Sequence, residues 1–222
     1  MSAPPLALAV VLTLVATVAS WFWVHRMPEP DDAAEVGKRP YASLGWPWWV
    51  STVVLSVVLA WWTHDQPAAW VWLAWCSVGL VLVAVDLATT YLPARLQQVL
   101  TGLVVAGLVA AAASGSWTTV ASAALGGALA AGGLFWLVWR FSSAFGFGDV
   151  RLAFTLGALA GAHGWAFWWT SLLLGTALGA VVGLVTSVVR RRRPHPLGSA
   201  FAYGPWLWAG PWLALAWADL MP

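Results

Sequence analysis

The sequence predicts an all-α polytopic membrane protein of about eight transmembrane or membrane-embedded helices. Three observations carry that expectation. Of 222 residues, 61% are hydrophobic and 8% are charged, against roughly a quarter charged in soluble globular domains. The apolar residues fall into runs near the length needed to cross a hydrocarbon core. The charged residues gather in the breaks between those runs. No polar stretch is long enough to build a separate soluble domain.

The runs follow in order. Residues 4–24 give a first span of about 20 residues. A cleaved signal peptide competes for this stretch, but it needs a positive n-region and the first basic residue is Arg26, after the run. Residues 25–46 form a loop whose prolines and charges argue against folded structure. The second span is 46–62, followed by a polar turn at 63–67. The third runs from about 68 to 87 and holds Asp86 near its end. Residues 92–96, with Pro93, break the chain. The fourth span is 97–113, a Ser-Gly-Ser turn follows, and the fifth is 117–139. After a loop at 140–148, a sixth helix should run from Val150 to about His163, roughly 15 residues or about 22 Å. That is short for a core of about 30 Å. The seventh span is 165–189 and the eighth 200–220. Residues 1–66 then form an N-terminal pair of helices with a short cytoplasmic loop, and 67–222 a six-helix core.

Ten basic residues test this topology. With the N-terminus outside, all ten fall on cytoplasmic loops or their edges, and the outer loops carry none, as the positive-inside rule requires. The net charge of +2 therefore reflects arginines at membrane boundaries and implies no nucleic-acid partner. Many of the 20 tryptophans sit near span ends (Trp21, Trp46, Trp61, Trp70, Trp117, Trp139, Trp165, Trp206), as interface belts do. That reading is preferred to a substrate-binding aromatic cage. Gly175, Gly179 and Gly183, and likewise Gly157 and Gly161, make small-residue faces for close helix packing. Cys76 is the single cysteine, which rules out an intrachain disulfide and a Cys-based zinc site.

Six of the eight acids lie in loops or at the C-terminus; only Asp86 and Asp149 adjoin apolar helices. An ionised Asp within a membrane helix costs about 2.5–3.5 kcal/mol on insertion scales, so both are candidate functional residues. The topology puts both near the cytoplasmic boundary. Bland readings exist for each: Asp149 as an N-cap, Gly146 and Gly148 as turn residues, Asp86 at headgroup level. Together they suit peptide hydrolysis. Two nearby carboxyls share one proton. The ionised member draws a proton from water, and the protonated member donates to the substrate carbonyl or leaving amine. Gly146, Phe147 and Gly148 form the loop that aims Asp149, and the glycines admit an extended peptide close to the backbone. Arg151 is an interface anchor, or a cation close enough to depress a carboxylate pKa. A transporter using the same two acids as a proton relay is a rival. It favours broken helices at the midplane and internal repeats, and neither is evident.

These residues resemble a family. Phe145-Gly146-Phe147-Gly148-Asp149, continuing through Val150, Arg151 and Leu152 to Gly157 and Gly161, resembles the GxGD segment of type IV prepilin peptidases. Asp86-Leu87 with Leu92-Pro93 and Leu96 resembles their first aspartate segment, 63 residues before the second. Tyr203-Gly204-Pro205 resembles the closing phenylalanine-glycine-proline segment, with Tyr203 in the aromatic place. The resemblance covers roughly residues 70–215. It implies an integral-membrane aspartic peptidase of the bacterial cytoplasmic membrane, with Asp86 and Asp149 catalytic. Its substrates would be type IV prepilins or pseudopilins, and no metal or other cofactor is needed. Pro93, Arg151, Tyr203, Gly204 and Pro205 are implied to support the site or the substrate. A GxGD intramembrane protease with other substrates is the nearest alternative. The chain departs from the family in its first loop, which is about 20 residues and lacks the paired CxxC motifs; only Arg26-Met27-Pro28 resembles the family's start. That departure removes support for the methyl transfer many members also perform.

Overall fold

The computed structural model describes residues 3–28, 39–112, 117–142, 146–192 and 201–220. Among these are eight helices and no strand: α1 (Leu6–Val24), α2 (Trp46–Thr63), α3 (Ala69–Thr89), α4 (Ala94–Ala112), α5 (Trp117–Phe141), α6 (Phe147–Ala162), α7 (Trp165–Arg192) and α8 (Gly204–Leu220). The protein is an all-α, multi-pass membrane protein. Five helices (α1, α3, α4, α5 and α7) are long and apolar enough to cross a bilayer. The other three are marginal for separate reasons. Helix α6 has 16 residues and α8 has 17. Helix α2 has 18, five of them tryptophan, with Pro47 in its first turn.

Helix α3 is the axis of the bundle. It is buried almost throughout, whereas the other four long helices bury a third of their residues or less. Their outward faces, with residues such as Leu129 and Leu184, carry the apolar exposure expected of a lipid-facing surface. Helix α3 has a π-helical turn at Trp75–Gly79, which re-aims the residues that follow it.

Buried hydrogen bonds join α3 to its neighbours. Trp75 Nε1 donates to the Trp208 carbonyl at 3.2 Å, and Trp208 Nε1 donates to the Trp75 carbonyl at 3.1 Å. Trp72 Nε1 donates to His163 Nε2 at 3.0 Å, and its ring packs against Trp212 with centroids 4.8 Å apart. The tryptophans therefore divide into two populations. Trp46, Trp61 and Trp165 are exposed at helix ends, as an interface belt requires. Trp21, Trp72, Trp75, Trp168, Trp208 and Trp212 are buried. Trp21 was expected in the belt, but its indole donates to Thr52 Oγ1 inside the bundle. A buried indole is retained where its N–H finds an acceptor.

The glycine faces pack as expected. A Cβ on Gly157 or Gly161 would strike the backbone of α5 at Gly127 and Ala123. Gly175 lies against the α8 backbone, where its Cβ would come 3.1 Å from the Leu207 carbonyl oxygen. Gly179 receives the Tyr203 ring; a Cβ there would come 2.6 Å from it. These contacts let backbones approach where larger residues would hold them apart.

Several boundaries differ from expectation, among them the start of α8, which is Gly204 rather than residue 200, and the end of α7, which is Arg192 rather than residue 189. The loop after α1 is partly folded: residues 41–43 form a 3-10 turn, and Tyr41 and Leu44 are buried. Their apolar side chains outweigh the prolines and charges that argued for an open loop. Helix α4 begins at Ala94, because Pro93 stands at its N-cap, where no N–H is needed, rather than breaking the chain through residue 96. Helix α6 begins at Phe147, three residues before the expected Val150. Glu29, Asp31, Asp32, Glu35, Lys38, Phe145 and Arg193 lie outside the described residues.

Candidate active site

Asp86 sits in the last turn of α3 and is 4% exposed. The helix ends by a left-handed cap, with the Thr90 N–H donating to the Asp86 carbonyl at 2.6 Å. Thr90 adopts φ 61°, a region a β-branched residue rarely enters. This sharp stop turns the chain toward Leu92 and Pro93 directly after the carboxylate. Asp86 Oδ2 accepts the backbone N–H of Gly204 at 3.0 Å. That bond crosses 118 residues of sequence and fixes the start of α8 to the end of α3.

Asp149 is the third residue of α6 and is 8% exposed. Its Oδ2 accepts the Gly146 N–H at 3.2 Å, and its own N–H donates to the Gly146 carbonyl at 3.1 Å. The side chain therefore reaches back over the first turn rather than capping from ahead of it, and negative charge there is favoured by the helix dipole. Phe147 and Gly148, expected in a loop, form that first turn. Gly146 has φ −81° and ψ 151°, extended backbone open to any residue. Its glycine answers no conformational demand. Gly148 answers a packing demand: a Cβ there would lie 2.8 Å from Leu92 Cβ.

The Tyr203-Gly204 stretch is tied to Asp86 by a hydrogen bond and feels the charge of Asp149. Gly204 binds Asp86. Tyr203, in the non-helical approach to α8, senses Asp149: burial, and after it the Asp149 charge, pushes its phenol up to about 12. The Tyr203 ring lies in the α7 glycine face and 6.2 Å from the Phe135 ring. Gly204 has no room for a side chain. A Cβ would come 2.7 Å from Asp86 Oδ2, 3.3 Å from Leu92 and 3.4 Å from Leu152. Pro205 follows in the first turn of α8, where proline costs no helical hydrogen bond.

Leu92 touches the space beside both Gly148 and Gly204 and so wedges between the two aspartate segments. The sequence named it within a motif without giving it a role; the glycines on either side were the available signal. Gln97 was missed altogether. It is buried on α4, and its Nε2 donates to Thr155 Oγ1 at 3.2 Å and to the Arg151 carbonyl at 3.4 Å. A glutamine inside an apolar span was the clue. Arg151 is exposed and lies 4.8 Å over the Phe147 ring; it makes no ion pair with Asp149. Its guanidinium contacts that ring rather than the carboxylate. Among the described residues, no cluster of three or more His, Cys, Asp or Glu side chains could hold a metal ion.

The sequence profile of the type IV leader peptidase family matches residues 72–187, a stretch that contains both aspartates. The chain belongs to the type IV leader peptidase family. Curated relatives of this family named prepilin leader peptidase/N-methyltransferase are similar over most of the chain. One from Pseudomonas putida is 31% identical over 175 residues, covering 77% of this chain and 57% of the relative. One from Aeromonas salmonicida is 30% identical over 210 residues, covering 90% and 65%. One from Aeromonas hydrophila is 29% identical over the same length and shares. The chain thus spans about three-fifths of the length of the curated relatives it matches. No solved structure matches it.

Proposed function

We propose that the protein is an integral-membrane aspartic endopeptidase that removes the leader peptide of type IV prepilins or pseudopilins. Asp86 and Asp149 are its catalytic pair. The observation that carries this reading is that two buried carboxylates on helices far apart in sequence share one neighbour: Leu92, six residues after Asp86, packs beside Gly148, next to Asp149, and beside Gly204, whose N–H binds Asp86. Family membership and the printed names of the relatives support the substrate class.

The chemistry follows from the pair. One carboxylate takes a proton from water as its oxygen bonds to the scissile carbonyl carbon. The other carboxyl donates its proton to the carbonyl oxygen, giving a diol. As the C–N bond breaks, the first carboxyl passes the proton it took from water to the departing amine, and the second recovers a proton from a diol hydroxyl. The pair titrates as a unit, so base and acid belong to the pair rather than to named residues. Each aspartate has one oxygen held by a backbone N–H, which orients it before substrate arrives. The distribution of basic residues supports an external N-terminus and a cut at the cytoplasmic face.

The test is co-expression with a prepilin. Asp86→Asn and Asp149→Asn should each abolish processing while both variants still insert in the membrane. Continued processing in either variant would refute the pair. Proton flux through wild-type protein in proteoliposomes, lost in the same variants, would instead favour a relay.

A further inference from the structure

A groove of about 570 Å³ runs between α4, α5 and α6. Its walls sort by polarity. At the end of the bundle that holds the first turns of α4 and α6 it is lined by Gln97, Gln98 and Arg151. Deeper, it is lined by Leu129, Gly133 and Phe154. Leu129 and Trp136 are largely exposed at its rim, so the groove opens sideways onto the lipid-facing surface.

We propose that this groove is a binding site for one anionic phospholipid, with an acyl chain along Gly133 and the phosphate against Arg151. Arg151 is the one charged residue among its lining residues, and its cation favours a phosphate and disfavours a basic peptide. The second observation is Gln97. Its side chain is 2% exposed, and its Oε1 is buried without a hydrogen-bond partner. A buried acceptor left unmade is costly. The missing donor is met when the Gln97 amide turns into the groove it lines and accepts from a headgroup hydroxyl.

The position argues against substrate as the occupant. Phe147, Val150, Arg151 and Phe154 follow the spacing of one helical face, and all four line the groove. Asp149, Leu152, Ala153 and Leu156 form the other face and are buried toward the site. A peptide lying in the groove would have α6 between itself and Asp149. A transmembrane helix, about 10–12 Å across, also needs far more room than this space provides. One lipid chain seated here would brace α6 from behind the catalytic carboxylate.

The experiment is native mass spectrometry of the full chain, purified in detergent and offered dioleoylphosphatidylglycerol or dioleoylphosphatidylcholine. Wild-type protein should retain one phosphatidylglycerol in preference to phosphatidylcholine. Arg151→Gln, at an exposed side chain, should lower that preference about fivefold, the effect of one surface cation on an anionic lipid. Gly133→Phe fills the groove from a position where a Cβ meets nothing within 4 Å, and should abolish retention of both lipids. Equal retention of the two lipids by wild-type protein would overturn the proposal. So would phosphatidylglycerol retention unchanged by either variant. If Gly133→Phe leaves lipid retention intact yet blocks prepilin processing, the groove belongs to the substrate and the lipid site does not exist.

Discussion

The two aspartate segments are held in opposite ways. Asp149 is restrained by its own turn: the group that holds its Oδ2 is three residues away. Asp86 is restrained by the far end of the chain, through a backbone N–H that reaches it only when α8 docks on α3. A local restraint forms with the helix and tolerates change elsewhere. A long-range restraint reports on the assembly of the whole bundle. The contrast says that Asp149 is oriented by α6, whereas Asp86 is oriented by tertiary packing, and that substitutions should hurt the two sides by different routes.

Substitutions of decreasing effect test this. The largest loss comes from the carboxylates themselves, where Asp86→Asn and Asp149→Asn should each lower processing by about a thousandfold or more, in the upper range for loss of an acid–base group. Equal losses would show that the different restraints serve one chemical unit. Gly204→Ala comes next. Its Cβ would stand 2.7 Å from Asp86 Oδ2, so the N–H contact must shift. Processing should fall about a hundredfold, as small misplacements of catalytic groups do, with insertion unchanged in a protease-protection assay.

Gly148→Ala should cost about tenfold in the same assay through its clash with Leu92. Leu92→Ala in the same chain should recover most of that loss, because neighbours in contact are not additive. If the double variant is as poor as the product of the singles, the wedge between the segments is not what Gly148 accommodates. Trp208→Phe removes an indole N–H that donates to Trp75. It should cost about 1 kcal/mol of stability, read as a lower thermal midpoint in detergent. Gly146→Ala should change processing least, by about threefold or less, since its backbone is extended and an added Cβ would make only ordinary contacts. A collapse of activity in Gly146→Ala would mean that this residue needs to be glycine for a reason other than its own conformation.

The local features were legible in the sequence. Asp86 and Asp149 stand out because ionisable residues beside apolar helices are costly. The glycine faces at 157–161 and 175–183 could be read because their spacing follows the helix period. What escaped depends on contacts between distant segments or on one residue masking a boundary. Gly148 inside the first turn of α6 disguised where the helix begins, since glycine disfavours helix interiors. Trp21 was mistaken for a belt residue because span ends and bundle interior overlap when helices tilt and cross. Tyr41 and Leu44 stand between a charged, proline-bearing loop and the tryptophan-rich start of α2, with no periodic pattern to announce that they fold back into the core. The bond between Gly204 and Asp86 has no periodic signature at all.

Helix α3 is tied to α8 twice, by the reciprocal Trp75–Trp208 bonds and again by Asp86 with Gly204. Two ties at separated heights do what one cannot: they remove both sliding and twisting as soft modes between the two bodies. The Asp86 side is then the fixed jaw of a clamp. The opposite side is the α5–α6 pair, joined along its own glycine seam, so Asp149 is carried by a second rigid unit rather than by a lone short helix.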